Sequence, residues 1–132
     1  MSVEFAVQNN GMAKAKVVGL WLVQIALAVF FIKAGVTKLL GLEMSVQGFD
    51  VIGFGQWFRY FTGGIEAGAG VLLLIPATAG LGALLLVFTM IGAVLTHLFI
   101  LGGSFAMALL FLAVSAFIVV VRRREILKLV GR

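Results

Sequence analysis

The 132-residue chain has no cysteine, one proline, one histidine and few charged residues, 11% in all. The lack of cysteine excludes disulfides, thiolate-held iron–sulfur clusters, thiol redox chemistry and covalent c-type haem attachment within this chain. One histidine and no cysteine leave too few soft ligands for a metal site, and none is expected. No phosphate-binding loop, dinucleotide fingerprint, catalytic triad or zinc spacing occurs. Soluble domains average about a quarter charged residues. Against that, 63% hydrophobic residues and a mean hydropathy of +1.22 exclude an ordinary soluble enzyme, a disordered chain and a coiled coil. The composition fits lipid as the solvent.

What is present is a series of long apolar runs. Residues 1–16 are mixed and polar, and Asn9-Asn10-Gly11 reads as a turn. The first run begins at Val17; no small-x-small cleavage site follows it, so an uncleaved transmembrane helix over about 17–40 is expected, ~36 Å long. Gly41 to Phe58 is the one long connection, rich in glycine and aromatics, with a short helix expected near Met44–Val51. Trp57, Arg59 and Tyr60 at its end are expected as anchors at the membrane–water boundary. The stretch from Phe61 to Leu101 would measure ~61 Å as one helix, about twice a hydrocarbon core, and must fold back once. Pro76 is the natural break, with Thr78 placed to cap the next helix. Gly102-Gly103-Ser104 marks a further turn, and the last run stops at Arg122-Arg123-Arg124. The expectation is a single all-α integral membrane domain over 1–132: a four-helix transmembrane bundle with helices at about 17–40, 60–75, 79–101 and 105–121.

The formal charge of +5 comes from 10 Lys and Arg against 5 Asp and Glu. Between residues 17 and 121, Lys33, Lys38 and Arg59 cancel Glu43, Asp50 and Glu66, so the excess lies wholly at the two ends. Lys14 and Lys16 precede the first helix; Arg122, Arg123, Arg124, Lys128 and Arg132 follow the fourth. Basic flanks mark the cytoplasmic side, so both termini are placed there and the aromatic connection faces outward. Arg122–Arg124 reads as this topology signal, compatible with anionic lipid or an acidic partner. Nucleic acid is not favoured, because no basic folded face accompanies so short a tail.

Small residues are expected to pack the helices: Gly63, Gly64, Ala67, Gly68, Ala69 and Gly70 on the second, with Gly64 and Gly68 four apart on one face, Thr89, Gly92, Ala93 and Thr96 on the third, and Ser104, Ala108 and Ser115 on the fourth. Bundle packing is the plain reading of Gly64 and Gly68, and a homodimer contact is the other.

Ionisable residues within spans are functional candidates by default. Lys33, Lys38, Glu66 and His97 all fall in the outer half of the bilayer in this topology. Lys33 and Lys38 are separated by ~140° around a helix, so only one of them can face Glu66. Two readings stand side by side: an ion pair locking two helices, or a polar pocket under the aromatic connection that binds a small polar or quinone-like head group or relays protons. His97 also fits a simple polar helix end.

The stretches Phe31–Leu39 and Gln56–Glu66, followed by Ala93–His97, resemble in order and spacing the polar positions of the DoxX family. The resemblance covers roughly Val17 to Val121 and carries the same count of four helices. Lys38, Arg59, Glu66 and His97 match the family's recurrent polar residues, and Lys33 is an additional charge. The resemblance implies a small bacterial inner-membrane protein serving a quinone-linked oxidoreductase, with a quinone as the cofactor class and redox-protein subunits, or a second copy, as partners. One histidine and no cysteine cannot supply two haem ligands, so it points to an accessory subunit rather than a free-standing catalyst. A non-catalytic assembly or chaperone-like factor and a small-solute transporter are the alternatives, the latter disfavoured by four helices without an inverted repeat.

Overall fold

A computed structural model describes residues 3–129 and 131, and of residues 3–12 the backbone alone. Among the described residues the chain is all-helical: α1 Val3–Leu40, α2 Glu43–Ile52, α3 Trp57–Leu73, α4 Ala79–Thr96, a π-helical turn His97–Leu101, α5 Ala106–Val121 and α6 Arg123–Leu129. Arg132 of the basic tail lies outside the described residues.

The chain has six α-helices where four spans were expected, and the breaks fall close to their expected places. α2 is the short helix of the aromatic connection. α6 is the tail beyond the last apolar run, turned 71° from α5 at Arg122. At the N-terminus the expected turn at Asn9–Gly11 is absent, and α1 runs straight through it. Asn and Gly cost a helix only about 1 kcal/mol or less each, and no proline interrupts the ladder before Leu40.

α1 ends at Gly41, whose φ of +72° takes the left-handed conformation that glycine adopts freely. Its N–H reaches the Lys38 carbonyl, and the next N–H, of Leu42, reaches back to Thr37. α3 stops at Leu73, ahead of Pro76. Thr78 occupies the N-cap position of α4 but does not cap it; its hydroxyl donates back to the Leu72 carbonyl at 3.1 Å. The carbonyls left open at the end of α3 thus take the hydroxyl that the new helix was expected to use.

Among the described residues two helices are long and apolar enough to cross a membrane, Ala13–Leu40 and Ala79–Leu101, and the bent α5–α6 pair makes up to three. Leu27, Ala28 and Phe31 of α1, Ala69 and Leu73 of α3, Ala83, Leu86 and Met90 of α4 and Ile118 of α5 form one buried core. Phe111 of α5 packs against it, edge to face with Phe31 at 5.2 Å between ring centroids. The outer surface is just as apolar: Leu22, Phe88, Phe99 and Phe117 are all exposed. Exposed apolar area on this scale is what a lipid-facing surface requires.

Glycine sets the helix spacing, and of the expected glycines of α3 it is Gly63 and Gly70 that pack, while Gly64 and Gly68 do not. A Cβ on Gly35 would lie 2.5 Å from the Ala67 nitrogen and the Gly63 carbonyl oxygen, and one on Gly70 would lie 2.6 Å from Ile32. On the other side of α3, a Cβ on Gly82 would come 2.7 Å from the Ala69 carbonyl oxygen. α1, α3 and α4 therefore touch backbone to backbone. Gly64 and Gly68 meet nothing within 4 Å. They lie on the exposed face of α3 and take no part in packing the chain.

Candidate functional site

The buried residues of α3 are Arg59, Gly63, Glu66, Ala69, Gly70 and Leu73, a stripe at three- and four-residue spacing. Glu66 sits on that stripe between the two glycines that admit α1. Gly63 makes room for Lys38 in particular, because a Cβ there would fall 2.9 Å from the Lys38 Cβ. The Lys38 ammonium lies 2.7 Å from Glu66 Oε1, with side-chain exposures of 22% and 6%. Oε1 is buried, and the Lys38 ammonium is the polar group that compensates its charge.

The rotation of α1 selects between its two lysines. Lys38 is half-buried and paired; Lys33 is exposed on an outward face and takes no part in the site.

Arg59 departs further from expectation. Trp57 and Tyr60 are exposed, as boundary anchors would be, but Arg59 is only 5% exposed. Its guanidinium donates to the main-chain carbonyl of Lys38. Its Nε donates to Gln56 Oε1 at 2.7 Å, and the group stacks over the Tyr60 ring at 4.3 Å. Gln56 passes the connection on: its Nε2 donates to the Val46 carbonyl at 3.0 Å and to Asp50 Oδ1 at 2.7 Å. α2 is thereby tied to α3 and to the end of α1. A planar five-donor group in this place does more than mark an interface; it fixes three chain segments together.

Below α2 lies a cavity of about 730 Å³. Lys38, Glu66, Thr96 and His97 supply polar atoms to its wall, and Phe49 and Phe58 are among its aromatic residues. Phe58 meets Phe49 and Phe54 edge to face. His97 is half-buried, and its Nδ1 is 3.0 Å from the Ala93 carbonyl oxygen, which accepts from Nδ1–H and leaves Nε2 free of that bond. It opens the π-helical turn that Gly102 closes onto the His97 carbonyl at 2.8 Å. Such local widening recurs at functional sites. Of the four expected site residues, Lys38, Glu66 and His97 line one cavity, and Lys33 does not.

A second polar cluster lies at the opposite end of the bundle. Gln24, fully buried, donates to the Leu73 carbonyl at 3.1 Å and accepts from Arg122 Nε at 2.6 Å. Arg122 also pairs with Glu125 at 2.8 Å and lies over Trp21. Arg122 is thus folded into the bundle and latches α5 to α1, whereas Arg123 and Arg124 stay exposed as a topology signal would. The sequence reading missed both glutamines. Gln24 had a signal, being the one amide in the apolar run from Val17 to Ile32; Gln56, among glycines and aromatics, had none.

Comparison with known proteins identifies relatives of this chain. A family model described as the DoxX-like family matches residues 22–121. That range holds Gln24, Lys38, Arg59, Glu66 and His97 and stops before Arg122. A Bacillus subtilis (strain 168) protein named "Putative oxidoreductase CatD" is 29% identical over 85 residues, covering 64% of this chain and 63% of that protein. The chain thus matches less than two thirds of that relative's length. No solved structure matches.

Proposed function

The chain belongs to the DoxX-like family of membrane proteins, and from that premise we propose that it is an accessory subunit of a quinone-linked membrane oxidoreductase. In this reading it crosses the bacterial inner membrane four times, by α1, α3, α4 with its π-helical turn, and α5. Both ends are cytoplasmic and α2 lies at the outer surface. The basic ends support the orientation.

The observation that carries the reading is the cavity: a large apolar space with an ion pair, an imidazole and aromatic rings in its wall. Such a space, with a few convergent polar groups, suits a small-molecule head group. Lys38 would donate from its ammonium to a carbonyl oxygen of the quinone, and His97 and the Glu66 carboxylate would accept from the hydroxyls of its reduced, quinol form. A bound quinone supplies two-electron, two-proton redox chemistry. The chain's own contribution is to hold charge beside the ring and, at Glu66, to take or give a proton. The relative named as an oxidoreductase supports a redox setting.

A membrane assembly factor is the second reading, favoured by exposed Lys33, a cation on an apolar outward face that suits an acidic protein partner. Solute transport is opposed by the packed apolar core of Leu27, Phe31, Leu73 and Leu86.

Gentle extraction of the intact protein, followed by mass spectrometry of lipids and co-purifying proteins, tests the reading. Quinone or a redox subunit should be retained, and quinone should be lost in Glu66→Gln. Repeated recovery with an unrelated client and no quinone would favour the assembly factor.

A further inference from the structure

The cavity beneath α2 takes residues from α1, α2, α3 and α4, and none from α5. Its uncovered side is bordered by Phe61 of α3 and by Phe88 and Leu95 of α4, which are 55%, 65% and 48% exposed. These rings and chains sit where lipid would meet the bundle. Phe88 is nine residues before His97, ~13 Å along the helix. The space therefore runs from the polar end at Lys38 and His97 toward the middle of the membrane, with its walls turning apolar on the way.

Gly92 lies between these levels. It lines the cavity, and a Cβ there would meet nothing within 4 Å, in contrast to Gly35, Gly63 and Gly70, whose faces are filled by the neighbouring helix. A larger side chain at this position would project into that open space. Toward the outer surface, α2 covers the cavity, with Phe49 buried and Phe58 half-buried beneath it. Met44 and Phe54, on and beside α2, are exposed lining residues as well, so the opening between α3 and α4 is the one on the lipid-facing flank of the bundle. At about 730 Å³ the cavity exceeds the needs of one polar ring, since pockets of about 300–1,000 Å³ enclose drug-sized ligands.

We propose that the cavity takes an amphiphilic ligand laterally from the membrane, through the gap between Phe61, Phe88 and Leu95, with its polar ring at Lys38–Glu66 and its apolar chain running out past Gly92. This rests on the quinone-site reading and adds the ligand's required tail, its route and the residue that admits it. Apolar burial along the passage gives tail length a direct effect on affinity.

The test uses the full-length protein in detergent and two radiolabelled probes: a dimethoxy-methyl-benzoquinone bearing a decyl chain, and the same ring without it. Affinities are expressed as mole fractions in the micelle, so that partitioning does not count as binding. The tailed quinone should bind at least about tenfold more tightly. Gly92→Leu, which fills open space, should remove that advantage and leave the tailless ring within about twofold of wild type. Gly64→Leu, on an open face outside the cavity, should change neither, and Glu66→Gln should weaken both. If Gly92→Leu affects both probes equally, or neither, while Glu66→Gln still weakens both, the lateral route is overturned and the head-group site stands. If neither probe binds saturably to wild type, both are overturned.

Discussion

Arg59 donates to the main-chain carbonyl of Lys38, and the Lys38 ammonium lies 2.7 Å from Glu66. One residue of α1 is therefore held by α3 at its backbone and at its side chain together. The backbone bond fixes where α1 ends; the ion pair fixes how it is rotated. A cavity wall built on this junction has a charged pair whose position does not depend on a mobile side chain alone.

Breaking the pair should cost more than removing it. Lys38→Met leaves Glu66 buried and unpaired, with an expected loss near about 3 kcal/mol, the low end of the range for buried pairs because Lys38 keeps some exposure. The double change Lys38→Met with Glu66→Leu should recover much of it. Reversible unfolding in mixed micelles and a double-mutant cycle measure the coupling.

Arg59→Lys should behave as a loss, because an ammonium cannot serve Lys38, Gln56 and the Tyr60 ring together. Gln56→Ala should release α2 by removing its bonds to Val46 and Asp50. The two changes should combine less than additively, and hydrogen exchange over Glu43–Ile52 should rise in each. Unchanged protection of α2 in both variants would refute the clamp.

At the inner end, Gln24→Leu strands a half-buried Arg122 donor at an expected cost of about 1–3 kcal/mol. Trypsin should then cut faster at Arg123 and Arg124, since the latch that seats α6 is gone. A wild-type cleavage rate would show that α6 is held by other contacts, such as Ile126 on Gly80.

Glycine-to-alanine changes should divide into two classes. Gly35→Ala, Gly70→Ala and Gly82→Ala put a methyl onto neighbouring backbone and should lower stability by about 1–3 kcal/mol. Gly64→Ala and Gly68→Ala enter open space and should stabilise by up to about 1 kcal/mol through helix propensity. A thermal-unfolding series over the five variants decides it, and a loss at Gly64 or Gly68 would instead reveal a contact between copies.

Topology has a clean probe, because the native chain has no cysteine. Single cysteines at Ser45 and Lys128 should label from opposite sides of the membrane. Labelling of both from one side would overturn the four-span arrangement.

Much of this protein is determined along the chain itself. The apolar runs, Pro76, Gly102-Gly103 and the charge gathered at the ends are one-dimensional signals, and they place the helices and breaks to within a few residues. They failed at Asn9–Gly11, where weak propensities lost to an uninterrupted helix. What only the tertiary structure decided is rotation: that Lys38 rather than Lys33 meets Glu66, that Arg59 and Arg122 turn inward, and that Gly35, Gly63 and Gly70 carry the packing while Gly64 and Gly68 do not. In water, hydropathy would have chosen the inner face of each helix. In lipid both faces are apolar, so no hydrophobic difference orients a helix, and its rotation is set by close backbone approach and by pairing of the few polar groups. Those depend on the neighbouring helix, which the sequence of one helix does not contain.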